Sequence, residues 1–196
     1  MFGIDVSANN GKIDWSKVAK NNQKVDFAYI KASEGVGYMD AQLKTNATNA
    51  KANNIKIGYY HFCTLNKPTD VINDATTEAE YFLSCIKDLP AYDMPLVLDI
   101  ETNKSLLTKA QVSQYIITFF DILKKKGHKK YVIYSYTPFL NSNLPLNHEF
   151  GKIPLWIAAY TTTLKLPKGW TKEWIWQYSC TGSISGIKGN VDLNKG

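Results

Sequence analysis

Short apolar segments rich in β-branched and aromatic residues recur along this chain with helical patterns between them, and this alternation restricts the fold more than any other feature. The segments are "FGIDVS" (2–7), "DFAYIKAS" (26–33), "KIGYYHFC" (56–63), "PLVLDIE" (95–101) and "YVIYSY" (131–136), and each reads as a strand. Between the last two, residues 108–126 put Val112, Tyr115, Ile116, Phe119 and Leu123 on one helical face, opened by a Thr108/Gln111 capping box. A second pattern holds Ala75, Ala79, Phe82, Leu83 and Ile86 in register, and a third, less apolar, covers 40–53. Strands alternating with helices imply right-handed βαβ crossovers and a parallel sheet, open or closed into a barrel.

The rhythm breaks after Tyr136. "PLWIAAY" (154–160), "EWIWQYS" (173–179) and "NVDLN" (190–194) still read as strands, but Pro138, Pro145, Pro154 and Pro167 interrupt the links, which leave little room for full crossover helices. Eight strand segments with about five helices predict an α/β fold, a shortened TIM-like barrel whose last three strands have lost their helices. An open doubly wound sheet is the structural alternative. No repeat, low-complexity tract or linker divides the 196 residues, so one domain covering 1–196 is expected.

The net charge of +6 and pI near 9.0 favour polyanionic partners, a class that includes nucleic acid, anionic membranes and wall polymers alike. The densest basic run, "KKKGHKK" (124–130), closes the 108–126 helix, where cations complement the dipole and Gly127 can take the left-handed C-cap. Apolar runs fall short of the roughly 20 residues of a membrane span, and no charged n-region and h-region opens the chain, so no export signal is expected. Cys63, Cys85 and Cys180 lack CxxC spacing and read as buried thiols, not a disulfide framework. With only His61, His128 and His148 and no paired His/Cys spacing, no metal site is expected. The chain has no GxSxG elbow, Walker loop or dinucleotide fingerprint.

Side-chain alternation puts Val97, Asp99 and Glu101 on one face of their strand and Leu96, Leu98 and Ile100 on the other. In a barrel the apolar face meets the helices, and the acids face the interior at the C-terminal mouth, where reactive groups gather. The same parity assigns Asp5 and Ser7 to the end of the first strand, Lys31 to the second, and Tyr59 and His61 to the third. It assigns Tyr134 and Tyr136 to the fifth, Trp156 and Tyr160 to the sixth, Gln177 to the seventh and Asp192 to the eighth. One acid at a strand end ordinarily caps a loop. Asp5, Asp99, Glu101 and Asp192 together, ringed by aromatics, point to sugar chemistry. Sugar rings stack on aromatics, and glycosidic cleavage needs a carboxylic acid to protonate the leaving oxygen. Crowding Glu101 against Asp99 disfavours a second charge and can keep one carboxyl protonated near neutrality.

"GIDVS" (3–7), "YIKASEG" (29–35), "GYYHF" (58–62), "LDIE" (98–101), "PLWIAAY" (154–160), "WQYS" (176–179) and "VDLN" (191–194) resemble, in order, the strand motifs of the family 25 glycoside hydrolases, the N-acetylmuramidases that cut bacterial peptidoglycan. The resemblance covers essentially the whole chain and implies a (β/α)5β3 barrel. It implies Glu101 as acid/base at the β-1,4 bond from N-acetylmuramic acid to N-acetylglucosamine, with Asp99 orienting or assisting it and Asp5 and Asp192 binding substrate or stabilising charge. Lys31, Glu34, Tyr59, His61, Tyr134, Trp156, Tyr160 and Gln177 are expected along the sugar groove. It further implies a monomer acting on the cell wall without cofactor or metal, and not on nucleic acid or membranes. Such a protein is held in the cytoplasm until released, as a phage lysin is, or exported by another route. A chitinase-like glycosidase and a non-catalytic wall-binding module stay open as alternatives. So does the choice among an enzyme nucleophile, an inverting water and the substrate's own acetamido oxygen.

Overall fold

The computed structural model describes residues 1–196. Its elements are β1 (Phe2–Val6), α1 (Trp15–Val18), β2 (Phe27–Glu34), β3 (Tyr38–Met39), α2 (Leu43–Ala52), β4 (Lys56–Phe62), α3 (Val71–Ile86) and β5 (Leu96–Asp99). They continue with α4 (Lys109–Lys125), β6 (Tyr131–Tyr136), α5 (Thr137–Asn143), β7 (Leu155–Ala158), β8 (Ile175–Gly182) and β9 (Val191–Lys195). The strands run in the order β1-β9-β8-β7-β6-β5-β4-β2, and β1 pairs with β2 to close the barrel; β3 is a short ribbon on β2. Each of the eight strand segments expected from the sequence supplies one stave. The five helices follow the first five staves, and no α-helix separates β7, β8 and β9, the (β/α)5β3 arrangement.

One expectation needs correction: the sheet is not wholly parallel. β9 runs antiparallel to both β8 and β1. The link from Gly182 to Val191 is too short for a crossover, which takes a dozen or more residues, so the chain turns back on itself.

The helices are stopped and started as their sequences dictate. Thr108 Oγ1 accepts from Gln111 N–H at 3.3 Å, and Gln111 Oε1 accepts from Thr108 N–H at 2.9 Å, closing the capping box of α4. At its other end Gly127 sits at φ 93°, letting Gly127 and His128 donate back to Lys124 and Leu123 in a Schellman turn. Val112, Tyr115, Ile116, Phe119, Phe120 and Leu123 are buried under α4. No helix is long and apolar enough to cross a membrane.

Two apolar layers result. Leu96, Leu98 and Ile100 join the layer between strands and helices, with Phe82 and Phe119. Phe27, Tyr29, Val97, Val132, Tyr134, Trp156 and Ile175 fill the barrel itself, with Tyr29 stacked on Trp156 at 4.7 Å. The barrel is therefore plugged below and can open only at its mouth. All three cysteines are unpaired, but only Cys63 is buried; Cys85 is partly covered and Cys180 is exposed, so the expectation of buried thiols fails there.

Candidate active site

At the mouth, a cavity of about 260 Å³ is lined by Asp5, Ser7, Asn9, Lys31, Tyr60, Phe62, Asp99, Glu101, Tyr134, Trp156, Gln177 and Asp192. Strand register brings these residues together. Asp5 of β1 lies opposite Asp192 of β9, Asp99 of β5 lies between Phe62 of β4 and Tyr134 of β6, and Tyr134 is beside Trp156 of β7. Asp192 reaches the mouth because β9 runs backwards: it sits near the start of its strand, with Asn194 one layer deeper on the same face.

The cavity opens into two arms. One, about 370 Å³, shares Ser7, Asn9 and Lys31 with it and adds Glu34, Tyr38, Asp40, Thr64 and Asn66. The other, about 690 Å³, shares Glu101 and Tyr134 and adds Tyr136, Pro138, Tyr160, a run of threonines at 161–163 and Lys165. Glu34 pairs with Lys31 at 2.6 Å, and the Lys31 ammonium lies 5.1 Å from the centre of the Phe62 ring. Tyr160, 53% exposed, stands at the rim of the larger arm.

Behind the acids is a continuous hydrogen-bond network. Asp5 Oδ2 accepts from Gln177 Nε2 at 2.9 Å and from Asn194 Nδ2 at 2.8 Å. Gln177 Oε1 accepts from the hydroxyls of Tyr134 and Tyr160 at 2.9 and 2.7 Å. Trp156 Nε1 donates to Asn194 Oδ1 at 2.7 Å.

All four acids resist ionisation. Burial, then the charge of Glu101, pushes Asp99 well above the carboxylate range, against the pull of Lys31. Its Oδ1 is buried with no hydrogen-bond partner, so an ionised Asp99 would carry an unsatisfied charged oxygen. Glu101, less deeply set, is raised by burial and by Asp192 while Lys31 opposes. Asp5 is raised well up by burial and by Asp192, although Asn194 and Gln177 favour its charge. Asp192 is raised by burial, with the hydrogen bond from Asp5 opposing. One proton shared between Asp5 and Asp192 follows, as for any carboxylate pair in contact.

Two residues expected in the groove lie elsewhere. Tyr59 is buried on the helix side of β4, where its hydroxyl donates to Pro90 O at 2.8 Å. His61 is fully buried on the same side, held by Glu78 Oε2 of α3 at 2.8 Å and Ser33 Oγ at 2.9 Å. The residues facing the mouth are Tyr60 and Phe62. The signal was Gly58: a Cβ there would run into the ring of Tyr29 inside the barrel, which places 58, 60 and 62 on the inner face. Asn9, in the short 3-10 turn Ala8–Asn10 after β1, and Asn194, within β9, were also missed, and an asparagine in a turn or strand carries no mark in one sequence that separates it from a capping or packing residue. No group of three or more His, Cys, Asp or Glu side chains is arranged to hold a metal.

Acids gathered over an aromatic floor at the C-terminal mouth of a barrel make the arrangement of the barrel glycoside hydrolases. The chain belongs to one family among them: residues 4–187 match glycosyl hydrolases family 25. It is 34% identical to an autolytic lysozyme of Clostridium acetobutylicum over 195 residues, which is 100% of this chain and 55% of that protein. The chain thus spans little more than half the length of that relative. The bacterial lysozyme of Streptomyces coelicolor superposes with a TM-score of 0.87 at 33% identity, covering 100% of this chain and 91% of that one. The modular autolysin LytC of Streptococcus pneumoniae, solved in complex with a synthetic peptidoglycan ligand, gives 0.85 at 27% identity, over 98% of this chain and 46% of that one.

Proposed function

We propose that the chain hydrolyses bacterial peptidoglycan at the β-1,4 bond between N-acetylmuramic acid and N-acetylglucosamine, with Glu101 as the general acid and then base. The observation that carries this reading is the position of Glu101, which lines both the central cavity and the larger arm. A glycan strand laid along the groove sets a linkage over it. Burial raises Glu101 from its ordinary carboxylate value against the pull of Lys31, which favours the protonated form that must give its proton to the leaving oxygen. Asp99, held neutral in its deeper position, adds no charge that would block Glu101 from ionising once the proton has gone. Asp5 and Asp192 keep one negative charge between them at the cavity wall, where it opposes the positive charge of an oxocarbenium-like transition state.

The lysozyme and autolysin relatives, one of them solved with a peptidoglycan ligand, support the substrate. In this reading the protein works at the bacterial wall as a monomer and needs no cofactor. Clearing of suspended walls by wild type and by Glu101→Gln tests it. A loss of about 10²–10⁴-fold is expected for a general acid; equal clearing by both proteins removes Glu101 from the chemistry.

A further inference from the structure

An indole N–H can only donate, and Trp156 donates to Asn194 Oδ1 at 2.7 Å. That fixes the two ends of the Asn194 amide, so its Nδ2 must point to Asp5 Oδ2, at 2.8 Å. Oδ2 is then an acceptor, and Gln177 must turn Nε2 toward it, at 2.9 Å. Gln177 Oε1 is left to accept, and both tyrosine hydroxyls spend their protons on it. The direction set by one donor therefore passes from β7 through β9, β1 and β8 to Tyr134 and Tyr160 at the groove.

We propose that Asn194, locked by Trp156, is a positioning residue that sets the hydrogen-bond polarity of the whole mouth. It keeps Asp5 Oδ2 free of protons, so the proton shared by Asp5 and Asp192 sits on the Oδ1 side of Asp5. It also leaves Tyr134 and Tyr160 facing the groove with lone pairs, which suit amide N–H and hydroxyl donors of an acetamido sugar. That last statement rests on the glycosidase reading; the protonation statement does not.

The groups that share the mouth with Asp5 are Lys31 of β2, Tyr60 of β4, Asp99 of β5 with Glu101 beyond it, Tyr134 of β6, Tyr160 beyond β7 and Asp192 of β9. Changing Asn194 or Trp156 removes none of these ionisable groups.

The test follows the carboxyl ¹³C shifts of Asp5 and Asp192 against pH in ligand-free wild type, Asn194→Leu and Trp156→Phe. Removing an N–H from the charged form of Asp5 raises the titration of the pair by about one pH unit in Asn194→Leu. Trp156→Phe keeps a ring against Tyr29 while releasing the amide, so it raises the titration by less and serves if the leucine variant does not fold. The acid limb of wall clearing moves the same way. Titrations that superimpose in the variants and wild type overturn the proposal. A wild type that titrates as described but clears no walls overturns the enzymatic reading alone.

Discussion

Asp99 and Glu101 stand two residues apart at the end of β5, and depth separates what they can do. Asp99 is 6% exposed, and folding lifts its pKa well above that of an ordinary aspartate, about 3.8. The native state therefore takes up a proton there, and stability from this residue is lost as pH climbs from about the unfolded value through the folded one. Asp99→Asn should raise the melting temperature at neutral pH, by about 2–4 °C for each kcal/mol recovered in a chain of this size. The gain should vanish below about pH 3.8, which calorimetry on both sides of that pH measures, and wall clearing should fall in the same variant. The neighbouring tyrosines of β4 make a second contrast. Tyr60→Ala should impair clearing, because Tyr60 lines the cavity. Tyr59→Phe should leave clearing intact and cost about 0.5–1.5 kcal/mol in denaturant unfolding for the lost bond to Pro90.

Among the elements, β5 was legible because its alternation is strict: Leu96, Leu98 and Ile100 are buried toward the helices while Val97 packs inside the barrel. β4 was not, since Tyr59, Tyr60, His61 and Phe62 offer similar bulk on both faces and parity has nothing to choose between. The direction of β9 was hidden for a different reason. A period of two reads the same forwards and backwards, and only the short link from Gly182 to Val191 betrays the reversal. The helices α2, α3 and α4 were legible because caps and apolar stripes are local, whereas α1 and α5, of 4 and 7 residues, are too short to show a stripe. What His61 does instead is tie β4 to α3 through Glu78, which also accepts from Thr64 Oγ1 at 2.7 Å. Burial by itself would raise Glu78, but the hydrogen bonds from His61 and Thr64 outweigh it and hold the pKa below 4.5. Its stabilisation is thus present above about 4.5 and lost as pH falls through the folded value. Glu78→Ala, which leaves His61 buried without its partner, should cost about 3–5 kcal/mol. Chemical unfolding at neutral pH checks that, and the acid side of the stability profile should flatten in the variant.

Over the whole molecule, the net charge of +6 coexists with a mouth that collects acids. Lys56 and Lys130 lie at the opposite end, where strands begin, and Lys125 and Lys126 where α4 ends, so part of the positive charge is carried by side chains away from the cavity. Attraction of such a surface to an anionic wall is screened by salt, over about 10 Å at 0.1 M and about 3 Å at 1 M. Clearing of whole walls should therefore decline with ionic strength while cleavage of a small soluble fragment changes little, a comparison that a salt series measures. The convergence of distant strands on one sugar linkage is tested most directly by mass spectrometry of walls digested with wild type and with Glu101→Gln, after reduction of the new sugar ends. Reduced N-acetylmuramic acid ends in the wild-type digest and their near absence with the variant are expected; ends on N-acetylglucosamine, or equal release by both proteins, would contradict it.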